Sequence, residues 1–91
     1  MTTPAEARLR RLRLRAWRRG TKEMDLILGP FADARLAELA PAALDDFERL
    51  LEQNDQDLYR WVSGQEKAPA TLAPLLDVIA THARARLSGG G

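Results

Sequence analysis

The chain has no cysteine among its 91 residues, which excludes disulfides, iron–sulfur clusters and thiolate zinc sites. It has one histidine, His82, so no histidine-rich metal cluster can be assembled, and a nucleophile–base pair would need His82 as its base with no nucleophile identifiable beside it. His82 falls near the end of the last apolar-periodic segment, where an exposed or capping role is expected. Aromatic residues make up only 5%, and Trp17 is the only one among the N-terminal arginines, so no stacking platform for single-stranded nucleic acid exists. No apolar run approaches the roughly 18 residues that would span a bilayer, and membrane insertion is not expected. The arginines also interrupt every short apolar stretch near the N-terminus, which leaves no secretory signal pattern. Walker and dinucleotide-binding glycine patterns are absent, as is any segment of period 2. No catalytic, metal-binding or tightly cofactor-binding residue is expected, and the chain does not read as an enzyme.

What is present is 45% hydrophobic and 30% charged, the composition of one globular domain. The net charge of +1 hides an asymmetry. Residues 1–22 carry eight basic side chains (Arg8, Arg10, Arg11, Arg13, Arg15, Arg18, Arg19 and Lys22) against Glu6 alone, a net +7. The remainder carries six basic and twelve acidic side chains, a net −6. A basic arm on an acidic body suggests an anionic partner for the arm. A small nucleic-acid-binding or regulatory module using that first helix is therefore the alternative reading. The acidic body and the absence of a recognition-helix arrangement stand against it, and nucleic acid is not the expected partner.

Five helical segments follow from apolar periodicity. Thr3-Pro4-Ala5-Glu6 has a cap, a proline tolerated at the first helical position and a capping-box glutamate. Ala5, Leu9, Leu12 and Ala16 then form a narrow apolar stripe, and Gly20 supplies a left-handed stop. Met24, Ile27, Leu28 and Phe31 define the second helix, with Glu23 and Asp25 in its first turn. Gly29-Pro30 predicts a kink or break, because proline lacks the donor and crowds the preceding turn. Pro41 opens a third helix with Leu44, Phe47, Leu50 and Leu51, and carboxylates Asp45, Asp46, Glu48 and Glu52 on its solvated face. Asp55 is placed to cap a short fourth helix carrying Leu58 and Trp61 up to Ser63-Gly64. Thr71 is placed to cap a fifth, with Pro74 in its first turn and Leu72, Leu75, Leu76, Ile79 and Ala83 as its apolar face. The expected fold is all-α, a compact five-helix bundle forming one domain over 1–91, ordered from about 4 to 87 with a frayed tail at 88–91.

The stretch Arg18-Arg19-Gly20-Thr21-Lys22-Glu23-Met24-Asp25, followed by Leu26-Ile27-Leu28-Gly29-Pro30-Phe31, contains the pattern R-G-x-x-E at Arg19, Gly20 and Glu23. A second stretch, Asp55-Gln56-Asp57-Leu58-Tyr59-Arg60-Trp61, follows the acidic third helix. Together these resemble the succinate dehydrogenase FAD-assembly factor family over nearly the whole chain, from about residue 8 to 83. The resemblance implies a five-helix factor, expected to act as a monomer, that binds the flavoprotein subunit of succinate dehydrogenase, and in some bacteria that of fumarate reductase. It further implies that the factor promotes covalent attachment of FAD to a histidine of that subunit, with the flavin belonging to the partner.

A tight turn alone would account for a glycine, a basic residue before it and an acidic one after it. It would not require arginine, whose planar fork fits a carboxylate or carbonyl of a partner. The expected partner-binding residues are therefore Arg19, Gly20 and Glu23, flanked by Arg18, Asp25 and Trp17, with Phe31 either on that surface or in the core. Trp17 leaves the Leu9/Leu12/Ala16 stripe, which predicts partial exposure. With no spacer between the Arg-rich start and the motif, a bacterial cytoplasm is expected rather than a mitochondrial matrix.

Overall fold

The computed structural model describes the backbone of residues 2–89 and the side chains of 2–86. Among them are five α-helices and no strand: α1 Pro4–Trp17, α2 Lys22–Arg35, α3 Pro41–Leu51, α4 Asp55–Val62 and α5 Ala73–Gly89. A 3-10 turn at Leu36–Glu38 joins α2 to α3. α5 takes in Ser88 and Gly89, which the sequence placed in a tail; residues 90 and 91 lie outside the described residues.

The helix starts follow from capping chemistry. Thr3 accepts from the Glu6 amide at 3.1 Å ahead of Pro4, and Thr21 accepts from the Met24 amide at 3.3 Å. Each satisfies one of the donors that a helix N-terminus leaves without a partner. α4 is capped by Asn54, whose side chain accepts from the Asp57 amide at 2.8 Å. The expected cap, Asp55, is instead the first residue inside α4, and its carboxylate is used elsewhere. Gly64, at φ 82°, ends that segment in the left-handed region, where a side chain would be strained.

The expected left-handed stop at Gly20 and the expected break at Gly29-Pro30 are not found. α1 ends at Trp17, three residues before Gly20, and Gly20 does not have a positive φ. α2 runs unbroken through Pro30. The proline leaves the Leu26 carbonyl without its helical donor, but Leu26 is half exposed and water can supply one. Meanwhile Leu28, Phe31 and Ala32 are completely buried on the other side of the same turns. Burying a side chain of this size contributes about 1.5–3 kcal/mol each for Leu and Phe, enough to offset the proline.

α2 is the central element, packing against α1, α4 and α5. Its Phe31 lies 6.0 Å from Phe47 of α3, centroid to centroid, and meets the His82 ring of α5 edge-on at 5.6 Å. His82 is thus half buried against an aromatic ring rather than exposed or capping. Leu12, Ala16, Met24, Leu36, Leu50, Leu51, Leu58, Leu76 and Ile79 complete the shared core. This packing brings the α1–α2 turn and the α3–α4 turn side by side.

Candidate functional site

The side chain of Arg19 turns inward. Its Nε donates to Asp55 Oδ1 at 2.7 Å, while Nη1 and Nη2 donate to the main-chain carbonyls of Leu51 and Gln53. Leu51 is the last residue of α3, where acceptors lack intrahelical partners and the helix dipole favours a cation, and Gln53 follows in the connection to α4. Asp55 stands at the start of α4, where the dipole favours an anion. One guanidinium therefore joins the end of one helix to the beginning of the next. The two side chains are only 11% and 10% exposed, so the pair is largely shielded from solvent.

Two further carboxylate contacts fix the turn. Asp25 Oδ1 accepts from the Arg19 amide at 2.6 Å, and Asp55 Oδ2 accepts from the Thr21 amide at 2.9 Å. Gly20 lies between them. A Cβ on Gly20 would come 3.2 Å from Asp55 Oδ2, so its role is close approach to that carboxylate, not a left-handed backbone.

The outward side of this stitched turn is different in character. Glu23 is exposed and makes no hydrogen bond or ion pair among the described residues. With Thr21, Asp55, Gln56, Tyr59, Arg60 and Gln65 it lines an open groove of about 430 Å³ between the start of α2 and α4. Tyr59 is 43% exposed in this groove. Arg60 is held by Asp57 at 2.5 Å and Glu66 at 3.3 Å. The hydrogen bond that Arg60 donates to Asp57 raises its affinity for the proton above the ordinary value.

The remaining expected residues divide. Arg18 is exposed beside the turn and unpaired among the described residues. Trp17 is 39% exposed; its indole lies flat over Gly29 of α2 and its Nε1 donates to Asp33 at 3.1 Å. A Cβ at Gly29 would fall within 2.6 Å of three indole carbons, which explains a glycine in the middle of a helix. Phe31 is fully buried and so belongs to the core, not to the surface that the sequence offered as its other location. Arg19 and Asp25 act within the turn, so Arg19 does not present its fork to solvent as expected. Asp55, Gln56, Tyr59 and Gln65 were not among the expected residues. The pairing of Asp55 with Arg19 spans 36 positions, which no local spacing reveals.

Among the described residues, no group of three or more histidines and carboxylates is placed to hold a metal ion, and no helix is long and apolar enough to cross a membrane. The site is a polar turn, stitched by hydrogen bonds at Arg19, Asp25 and Asp55, beside an open groove. Residues 10–83 match the family described as "Flavinator of succinate dehydrogenase", and the chain belongs to that family. It is 37% identical over 84 residues to the FAD assembly factor SdhE of Acetobacter pasteurianus, covering 91% of this chain and 77% of the relative. It is 38% identical over 68 residues to FAD assembly factor SdhE of Vibrio cholerae, covering 74% of this chain and 79% of that one. A succinate dehydrogenase assembly factor 2, mitochondrial, of Mycosarcoma maydis is 40% identical over 68 residues. That match takes in 75% of this chain but only 29% of the fungal protein.

Proposed function

We propose that this chain binds the flavoprotein subunit of succinate dehydrogenase in a bacterial cytoplasm and promotes covalent attachment of FAD there, as a monomer and without chemistry of its own. The observation that carries the reading is Glu23, an exposed and unpaired carboxylate held at a fixed place by a turn stitched at Arg19, Asp25 and Asp55. An unpaired charge on a preorganised backbone costs little ordering entropy when a partner meets it. Family membership and the coverage of the two bacterial assembly factors support the partner and the task.

The contact surface in this reading is Glu23, the exposed backbone at Gly20, Arg18 and Trp17, extended into the groove by Tyr59 and Gln56. Arg19 and Asp25 shape that surface from within. The flavin and the histidine that receives it belong to the partner. The factor contributes by holding the partner in a conformation in which the two meet, a proximity and population effect. It then dissociates from the finished flavoprotein.

Purified apo flavoprotein, FAD and this chain are mixed, and protein-bound flavin is read by fluorescence in a denaturing gel. Covalent flavin well above a control without the factor supports the reading. Equal fluorescence with and without the factor, using the flavoprotein of the same source, removes it.

A further inference from the structure

The structure uses two of the eight cations of residues 1–22 internally. Arg8 pairs with Asp45 at 2.6 Å and Glu48 at 3.3 Å, and Arg19 pairs with Asp55. Arg10, Arg11, Arg15, Arg18 and Lys22 are exposed and form no ion pair among the described residues. The outer face of α1 therefore holds most of the basic charge with no internal use for it.

That face is not simply cationic. Leu14 is 48% exposed, one helical turn from Arg10, Arg11 and Arg18. Trp17 follows Leu14 by three residues, and Leu26, 50% exposed, precedes by three the Gly29 on which the indole rests. Large apolar side chains are thus placed among guanidinium groups. The indole is already fixed by Gly29 and Asp33, so engaging it costs little side-chain entropy.

An apolar centre with a charged rim, rich in Trp and Arg and poor in Lys, is the anatomy of a protein–protein contact. Nucleic-acid phosphates would use the cations but leave Leu14 and Leu26 without an apolar counterpart. A bilayer surface fits less well, because the main apolar stripe of α1, Leu12 and Ala16, is buried in the core and Asp33 borders the indole. The geometry points to a second docking face on α1, in which Leu14, Trp17 and Leu26, rimmed by Arg10, Arg11 and Arg18, receive an acidic, apolar-centred patch of a protein partner. Trp17 and Arg18 join this face to the stitched turn, so both engage one protein. The inference therefore rests on the function proposed above, and the partner is the same flavoprotein subunit. Charge of this kind speeds encounter, and the apolar centre slows release.

The test measures binding of the apo flavoprotein subunit to the full chain at low and raised ionic strength. Arg10→Glu/Arg11→Glu is compared with Arg84→Glu/Arg86→Glu, which makes the same charge change at exposed positions on α5. Circular dichroism checks that both variants are folded. The α1 variant is expected to bind about tenfold more weakly or worse at low ionic strength, mainly through slower association, with the deficit shrinking as salt is added. The α5 variant is expected to change by less than about threefold. Leu14→Ser is expected to weaken binding through faster dissociation, with little dependence on salt. Equal losses in both double variants, or none in the α1 variant, overturn the docking face while leaving the proposed function standing. Failure of the unaltered chain to bind the flavoprotein removes both. Tighter, α1-dependent binding to duplex DNA than to the flavoprotein reassigns the face to nucleic acid and overturns the inference.

Discussion

Arg19 and Asp55, 36 residues apart, form a 2.7 Å ion pair in which each side chain also binds main chain from a second segment. Arg19 reaches the Leu51 and Gln53 carbonyls, and Asp55 reaches the Thr21 amide. Removing either partner leaves the other as a shielded charge without its counterion. Arg19→Ala and Asp55→Ala are each expected to destabilise the fold by about 3 kcal/mol, the lower end of the range for buried pairs. The double variant should cost clearly less than the sum, with a coupling of at least about 1 kcal/mol. Urea denaturation of the four proteins measures this. Arg19→Lys should recover little, because one ammonium cannot replace three donors diverging from a planar fork.

Gly29 and Trp17 make a second coupled pair with an opposite sign in the two backgrounds. Gly29→Ala pushes a methyl group into the indole and is expected to cost roughly 1–3 kcal/mol. In a Trp17→Ala background the obstruction is gone, and the same change should stabilise by up to about 1 kcal/mol, since alanine is the better helix former. Thermal melting of the four variants reads both signs. A melting temperature lowered equally by Gly29→Ala in both backgrounds would contradict the stacked indole.

Phe31 serves the core alone. Phe31→Ala is expected to cost about 3–5 kcal/mol, from lost burial and the cavity left between Phe47 and His82. Any loss of partner binding should track the unfolded fraction measured in the same buffer. Weaker binding by fully folded Phe31→Ala would place this residue at the contact surface after all.

Much of this fold was legible in local sequence. The 3.6-residue spacing placed all five helices, and Thr3, Pro4, Pro41 and Gly64 marked their ends correctly. The errors share a physical origin. Of the kink or break read at Pro30, the break is absent: the missing donor is a local cost, whereas the burial of Phe31 and Ala32 that offsets it is a tertiary gain. Asp55 was read as a cap because its position suits one, but Asn54 took that role and freed Asp55 for a distant arginine.

The candidate site was legible in composition and not in orientation. The motif Arg19, Gly20 and Glu23 does lie at one turn, but its two charges face opposite ways. Arg19 is consumed by acceptors supplied from 32 to 36 residues further along, which periodicity cannot signal. Glu23 has no such claimant and remains outside. Gly20 was assigned a left-handed backbone on the strength of its residue type, while its function is to let Asp55 approach.

The division between an inward arginine and an outward glutamate is tested most directly by covalent flavin yield at matched concentrations of folded factor. Glu23→Ala should melt within about 1 kcal/mol of the unaltered chain, since its carboxylate only complements a helix dipole. It should nevertheless leave the co-expressed flavoprotein with little more in-gel flavin fluorescence than the no-factor control. Full flavin yield from folded Glu23→Ala would contradict a working surface at this turn.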